Sequence, residues 1–360
     1  MLKSLRVENF RALDELQIDR LARVNLIVGK NNVGKTTLLE AIHLYESKDV
    51  YDATTRILQR RDEYSIERNG DQFNLENLFS LGSDPWSSKI KIGEIGGETL
   101  GISSAWTWRE ERRSEDGQIS VHYKLDENRP KNVVGAQVRF VFHSHRKDRI
   151  SIGALDDAQY LSEILEQEVQ PETSLLLPSS GFTTVATNID ELWDRVVLEN
   201  DKIDIVLEVL GLVTKVKIER LAFVQGKRDE RLAVVKLNDR RAMPLRSLGD
   251  GANKLFELAL GLVTSGQGGT FLVDEIDSGI HFSVLPDIWK MVIQTAKKLD
   301  VQVFATTHSW DCIKAFQEAS ESIPGESLLV SLENSEDGLR SEVFTESELS
   351  VITRQSIEVR

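Results

Sequence analysis

The chain of 360 residues contains a single cysteine, Cys312. One thiol cannot close an intramolecular disulfide, and it excludes a zinc cluster built on thiolates. No apolar run reaches the roughly 18 residues that a membrane helix needs. The opening MLKSLRVENF has neither the apolar core nor the small-residue cleavage site of a signal peptide. These absences predict a cytoplasmic protein with no membrane partner. Sustained heptads, internal repeats and low-complexity tracts are also missing, so long coiled-coil arms are not expected. Basic charge is in short supply: 44 Lys and Arg stand against 58 Asp and Glu, a formal net charge of −14. A protein that lives on phosphate backbones gains from being basic, so nucleic acid is a possible partner that net charge does not indicate. The stretch 227–246 holds seven basic residues against three acidic ones and reads as a solvated hairpin.

Hydrophobic residues make up 40% and charged residues 28%, the balance of a soluble globular protein. The pattern predicts two short strands at 3–9 and 14–18 joined by a turn, a buried strand at 23–28, and a helix from Thr36 to about Tyr45. Residues 48–85 are polar and give no clear assignment. Between 89 and 145 the period changes to two, as in antiparallel strands, with Trp106 and Trp108 read as core of that sheet. Residues 154–213 read as helical, with one helix around Leu161, Ile164 and Leu165 and a longer stripe over 189–212. Strands return at 216–224 and 231–237. Beyond 245, helices near 251–265, 283–298 and 309–319 alternate with strands at 270–274 and 301–307, as in a parallel sheet with covered faces. Two strands and a helix close the chain.

Four motifs carry chemistry. Gly29-Lys30-Asn31-Asn32-Val33-Gly34-Lys35-Thr36 is a complete G-x-x-x-x-G-K-T loop between an apolar strand and a helix. Its glycines let backbone N–H groups face phosphate oxygens, and the helix N-terminus adds partial positive charge. Lys35 would contact the β- and γ-phosphates, and the Thr36 hydroxyl would be a Mg²⁺ ligand. The strand 270–274 ends in two adjacent carboxylates, Asp274 and Glu275: the first is delivered toward that Mg²⁺, the second toward the γ-phosphate, where it can activate water. The strand 301–307 ends beside His308, placed to sense the γ-phosphate. Ser247-Leu248-Gly249-Asp250-Gly251 opens an apolar helix, a second anion-binding surface that one nucleotide does not need. The economical reading is that it serves the ATP bound by another copy.

These motifs stand in the order of an ABC-type ATPase: Walker A, signature, Walker B, switch histidine. They resemble the group of SMC proteins, RecF and the overcoming-lysogenization-defect (OLD) nucleases, and are most similar to stand-alone bacterial ATPases related to the OLD ATPase domain. The resemblance rests on NFRALDELQID, NLIVGKNNVGKTTLLEAI, LRSLGDGANKLFELALGL, FLVDEIDSGIH and VFATTHSWDCIKAF, covering about 1–45 and 245–360. It implies an α/β fold: an ABC-type head (1–48 with 214–360) with a parallel core sheet, an antiparallel β region (49–153) and a helical insertion (154–213). It implies that Gly29, Asn32, Gly34, Lys35, Thr36 and Thr37 hold ATP and Mg²⁺, and that Arg11 touches a phosphate. Ser247, Gly249 and Gly251 would reach the partner's γ-phosphate. Asp274 would serve the metal, Glu275 would be the base and His308 the switch, while Asp277 to His281 would cross the dimer. SLGDG departs from the SGGQ of transporter subunits. The Q-loop glutamine has only weak candidates in Gln72 and Gln159. The roughly fifty residues after His308 hold no Asp-x-Asp pair, and no TOPRIM nuclease is expected there.

The resulting expectation is a slow or regulated ATPase. It would act as a switch in a homodimer or higher homo-oligomer that sandwiches two ATP molecules, controlling a separate protein effector, such as a nuclease, in anti-phage defence. A RecF-like DNA-repair ATPase and a scaffold that holds ATP permanently are the alternatives.

Overall fold

A computed structural model describes residues 1–67, 70–113, 119–126, 137–144, 149–153, 161–162, 174–180, 189–214, 217–226, 231–238, 241–336, 338–355 and 357. In chain order the elements begin β1 (Leu5–Phe10), β2 (Leu13–Ile18), β3 (Val24–Gly29), α1 (Lys35–Glu46), α2 (Val50–Arg60), β4 (Tyr64–Glu67) and β5 (Gly70–Phe73). Next come β6 (Lys89–Gly93), β7 (Thr99–Arg113), β8 (Ile119–Asp126), β9 (Gln137–Ser144), β10 (Arg149–Gly153), β11 (Leu161–Ser162) and β12 (Ser174–Leu177). They continue with α3 (Ile189–Val196), α4 (Asn200–Thr214), β13 (Ile218–Gln225), β14 (Arg231–Leu237), β15 (Met243–Pro244), α5 (Asp250–Thr264) and β16 (Thr270–Val273). The last are α6 (Leu285–Leu299), β17 (Gln302–Thr306), α7 (Trp310–Ser322), β18 (Ser327–Ser335), β19 (Gly338–Phe344) and α8 (Glu346–Gln355). Contacts divide the chain into two compact units: Met1–Leu5 with Gln17–Lys48 and Pro171–Arg360, and Arg6–Leu16 with Asp49–Gln170.

The first unit is built on a sheet of order β12-β16-β17-β3-β18-β19. All its pairs are parallel except β18–β19. Every residue of β3, β16 and β17 is buried, as expected of strands covered on both faces. The helix α1 packs along β3, β17, β16 and β12, and α5 packs on β16 and β12. At Gly261 the helix α5 sits directly on the sheet: a Cβ there would lie 2.3 Å from a ring carbon of Phe271, so only glycine fits. Trp289 and Phe316 join α6 to α7 edge to face at 4.8 Å, a geometry worth about 0.5–1.5 kcal/mol beyond its buried area. Cys312 is fully buried in this core, and burial pushes its thiol pKa up to about 12, so it is inert at neutral pH.

Two expectations for 154–213 change. The stretch 174–177 is a strand of the core sheet: SLLL before Pro178 is a short apolar run that periodicity alone cannot divide between helix and strand. Leu161 lies in the strand β11 rather than a helix, and Ile164 and Leu165 fall outside the described residues. The stripe over 189–212 forms two helices, broken where Leu198 turns outward, 91% exposed. Both pack on α5. The strands β13, β14 and β15 form a small antiparallel sheet beside them. Within 227–246, Arg231 pairs with Asp194 and Asp190, and Lys236 with Glu219; residues 227–230 and 239–240 lie outside the described residues.

The second unit carries the sheet β11-β10-β9-β7-β6-β1-β2, with β8 also paired to β7, antiparallel from β11 to β1. Trp106 and Trp108 are only partly buried on β7, not core. The unassigned polar stretch holds α2, whose N-terminus is capped by Asp49 accepting from the Asp52 N–H at 2.9 Å. Val50, Ala53, Thr54, Ile57 and Leu58 form its buried stripe.

Candidate functional site

The parallel order brings three strand ends together. β16, β17 and β3 are neighbours, and each ends at a motif: Asp274-Glu275, Thr306-Thr307-His308, and the loop from Gly29. Gly29 has φ 146°, and a Cβ there would stand 2.5 Å from the Leu332 carbonyl oxygen, so the loop can leave the sheet only at glycine. Gly34, at φ 102°, precedes α1 as its N-cap without a side-chain cap, and Asn32 is also left-handed at φ 63°. The loop thus opens onto the uncapped N-terminus of α1, where N–H groups and dipole favour an anion. The Lys35 ammonium donates to the carbonyls of Gly29 (2.7 Å) and Lys30 (3.0 Å). Burial lowers its pKa, while Asp274 and Glu275 pull it upward. Thr37 is buried in the first turn of α1.

Asp274, 8% exposed, accepts hydrogen bonds from the hydroxyls of Thr36 (3.0 Å, Oδ2) and Thr306 (2.6 Å, Oδ1). One hydroxyl and one carboxylate, adjacent at the mouth of the loop, are the hard oxygen donors that suit Mg²⁺, which fills its remaining positions with water and substrate phosphate oxygens. Glu275 is held in the left-handed region at φ 49°. This costs a residue with a Cβ on the order of 1–3 kcal/mol. Its N–H donates to Thr306 Oγ1 at 2.8 Å, which fixes the turn. His308 Nδ1 stands 4.0 Å from Glu275 Oε1, both side chains about half exposed, so the pair faces solvent at the strand ends.

Two residues not singled out from the sequence join this network. Thr306, fully buried, bonds both Asp274 and the Glu275 backbone; Thr307 donates to Asp277 Oδ1 at 2.7 Å and accepts from the Ser309 N–H. Two adjacent hydroxyls closing the strand after Val303-Phe304-Ala305 were the available signal. Thr306→Val is expected to lower kcat about tenfold, since it unpairs the half-buried Glu275 N–H, a loss of about 1–3 kcal/mol, and to change KM for ATP much less. Thr306→Ser should restore the rate. Steady-state phosphate release checks this, and a loss confined to KM would refute the positioning role.

Ser247, Gly249 and Gly251 take no part in this network. Ser247 is exposed in a 3-10 turn, Leu245–Leu248, and Gly249 (φ 98°) is the N-cap of α5. A Cβ on Gly251 would stand 3.2 Å from the Gly279 carbonyl oxygen, so the start of α5 lies against the 277–281 loop. Arg11 belongs to the second unit, where Glu63 holds its guanidinium in two hydrogen bonds of 2.9 and 2.7 Å. Gln72 lies in β5 of that unit and Gln159 falls outside the described residues. The strand beside the Asp274 strand, β12, is followed by Pro178, Ser179 and Ser180, and the Asp274 N–H donates to Leu177 O at 2.9 Å.

Comparison with known proteins gives a family and a fold. A family model described as "AAA domain, putative AbiEii toxin, Type IV TA system" matches residues 24–311. An ATP/GTP phosphatase of Helicobacter pylori is 21% identical over 341 residues, 88% of each chain. The DNA replication and repair protein RecF of Salinibacter ruber is 26% identical over 168 residues, 46% of this chain and 34% of that protein. Among solved structures, an SMC head bound to the C-terminal winged-helix domain of ScpA superposes with a TM-score of 0.51 at 12% identity, covering 96% of this chain and 97% of that one.

Proposed function

Because this chain belongs to that AAA-domain family and is an ABC-type P-loop ATPase of the SMC and RecF kind, we propose that it works as a nucleotide-driven dimeric switch. The observation that carries the reading is a division within one chain. Lys35, Thr36, Asp274, Glu275 and His308 converge at three strand ends, whereas Ser247 and Gly249 present a second, exposed helix start outside that network. Each is half of a phosphate site, and two copies facing one another would complete both. Hydrolysis at Glu275 would release the sandwich. Slow turnover suits a switch that reports its nucleotide state to a separate protein effector, and the resemblance to OLD-type ATPases favours a nuclease in anti-phage defence. Light scattering on the Glu275→Gln protein tests the reading. Mg·ATP should double the mass from monomer to dimer, and a monomer with ATP demonstrably bound would refute the shared site.

A second reading, a DNA-binding repair ATPase, is favoured by the RecF match. It requires duplex affinity that falls steeply with salt, despite a net charge of −14.

A further inference from the structure

We propose that Phe282 is the aromatic anchor on which two copies of this chain close, packing beside the two-fold axis against the 277–282 loop of the second copy. The proposal rests on the dimeric switch and adds to it the surface on which the copies meet.

Symmetry places that surface. A two-fold dimer that sets the strand-end half-site of one copy against the α5 start of the other exchanges the two features. Its axis therefore passes through the midpoint between them in either chain. The segment that runs between them leaves the strand ends at Glu275. At Gly279 its carbonyl oxygen stands 3.2 Å from a Cβ built on Gly251, at the start of α5. The loop thus lies beside the axis and faces its own counterpart.

The loop holds its shape without a partner. The Ser278 N–H donates to Glu275 O at 3.0 Å, Ile280 N–H to Asp277 O at 3.1 Å, and Val284 N–H to His281 O at 3.1 Å. The Thr307 hydroxyl ties Asp277 at 2.7 Å. Ile280 packs on the core, while Ser278, Gly279, His281, Phe282 and Ser283 are exposed. Phe282, at 62%, is the most exposed aromatic side chain among the described residues. Its ring centroid lies 4.4 Å from that of His281, whose Nδ1 accepts from the Ser283 N–H at 3.3 Å.

A single exposed apolar side chain means little by itself. Phe282 differs in its position and its support. Interface anchors are aromatic side chains near the centre of the patch. A ring already stacked on a neighbour, on a loop already hydrogen-bonded, loses little freedom when a second copy covers it.

The chain's one cysteine is fully buried, so Phe282→Cys introduces a single accessible thiol. Placed in the Glu275→Gln protein, at concentrations where light scattering shows it dimeric in Mg·ATP, it should be joined to a second copy by a short bis-maleimide, and not in ADP. Phe282→Ala in the same background should weaken the Mg·ATP dimer at least about tenfold, because both copies lose the anchor. Analytical ultracentrifugation over a range of protein concentrations measures this. A Glu275→Gln dimer whose constant is unchanged by Phe282→Ala, or a dimeric Phe282→Cys protein that cross-links no better in ATP than in ADP, overturns the anchor and leaves the switch standing. A Glu275→Gln protein that stays monomeric with ATP bound overturns both.

Discussion

Replacing Glu275 by glutamine is expected to slow ATP hydrolysis by roughly 10²–10⁴-fold, the loss typical of a removed general base, with ATP binding retained. The separation of the two effects follows from the geometry. The groups that would hold phosphates and metal are Lys35, Thr36, the loop amides and Asp274, and the hydrogen bonds that place Lys35, Thr36 and Asp274 do not involve the Glu275 side chain. What fixes Glu275 is its backbone, through the Thr306 hydroxyl, and glutamine keeps that N–H and the same side-chain length. Only the proton-accepting capacity goes. Single-turnover hydrolysis measured beside equilibrium ATP binding checks both halves. A rate within threefold of the unaltered protein would remove Glu275 from the chemistry. His308, 4.0 Å away, cannot substitute as base without moving, so residual hydrolysis in the glutamine protein should be small.

Where the sequence was legible, local geometry alone dictates the residue. Gly29 and Gly34 occupy backbone conformations open to few other residues, and Lys35-Thr36 must start a helix after a buried strand, so the loop declares itself in eight consecutive letters. The strands that lead to Asp274 and His308 are mostly apolar and buried at every residue, as strands covered on both faces must be. The illegible parts depend on partners distant in sequence. SLLL at 174–177 becomes the edge strand of the parallel sheet only because β16 lies beside it, and nothing within those residues says so. Thr306 gains its role from Asp274 and Glu275, more than thirty positions earlier. Arg11 reads as a phosphate contact from the motif around it, yet its guanidinium is held by Glu63, a pairing across fifty-two positions that no local pattern announces. Lys254 lies in the apolar helical stretch after the signature, and its burial follows from the α5 packing rather than its neighbours in sequence.

Mixing two inactive proteins should restore activity. Lys35→Ala removes the P-loop cation, and Ser247→Arg blocks the exposed start of α5 with a bulky side chain; each alone is expected to hydrolyse ATP at background rates. In a two-fold dimer of one copy of each, one site inherits both lesions and the other inherits none. Random exchange puts half of the chains' dimers in that mixed form, so the mixture should recover about a quarter of normal activity. Recovery of this size has no explanation in a site completed within one chain, because neither protein then holds an intact site. The Ser247 position makes the test clean: it is exposed and outside the Lys35–Asp274–Glu275 network, so arginine there should leave the host chain's own fold and its own P-loop undisturbed. Differently tagged copies that co-purify in Mg·ATP establish that exchange has occurred. With exchange shown and activity still absent, Ser247 and Gly249 would be an ordinary helix entry, and the switch would have to operate within a single chain.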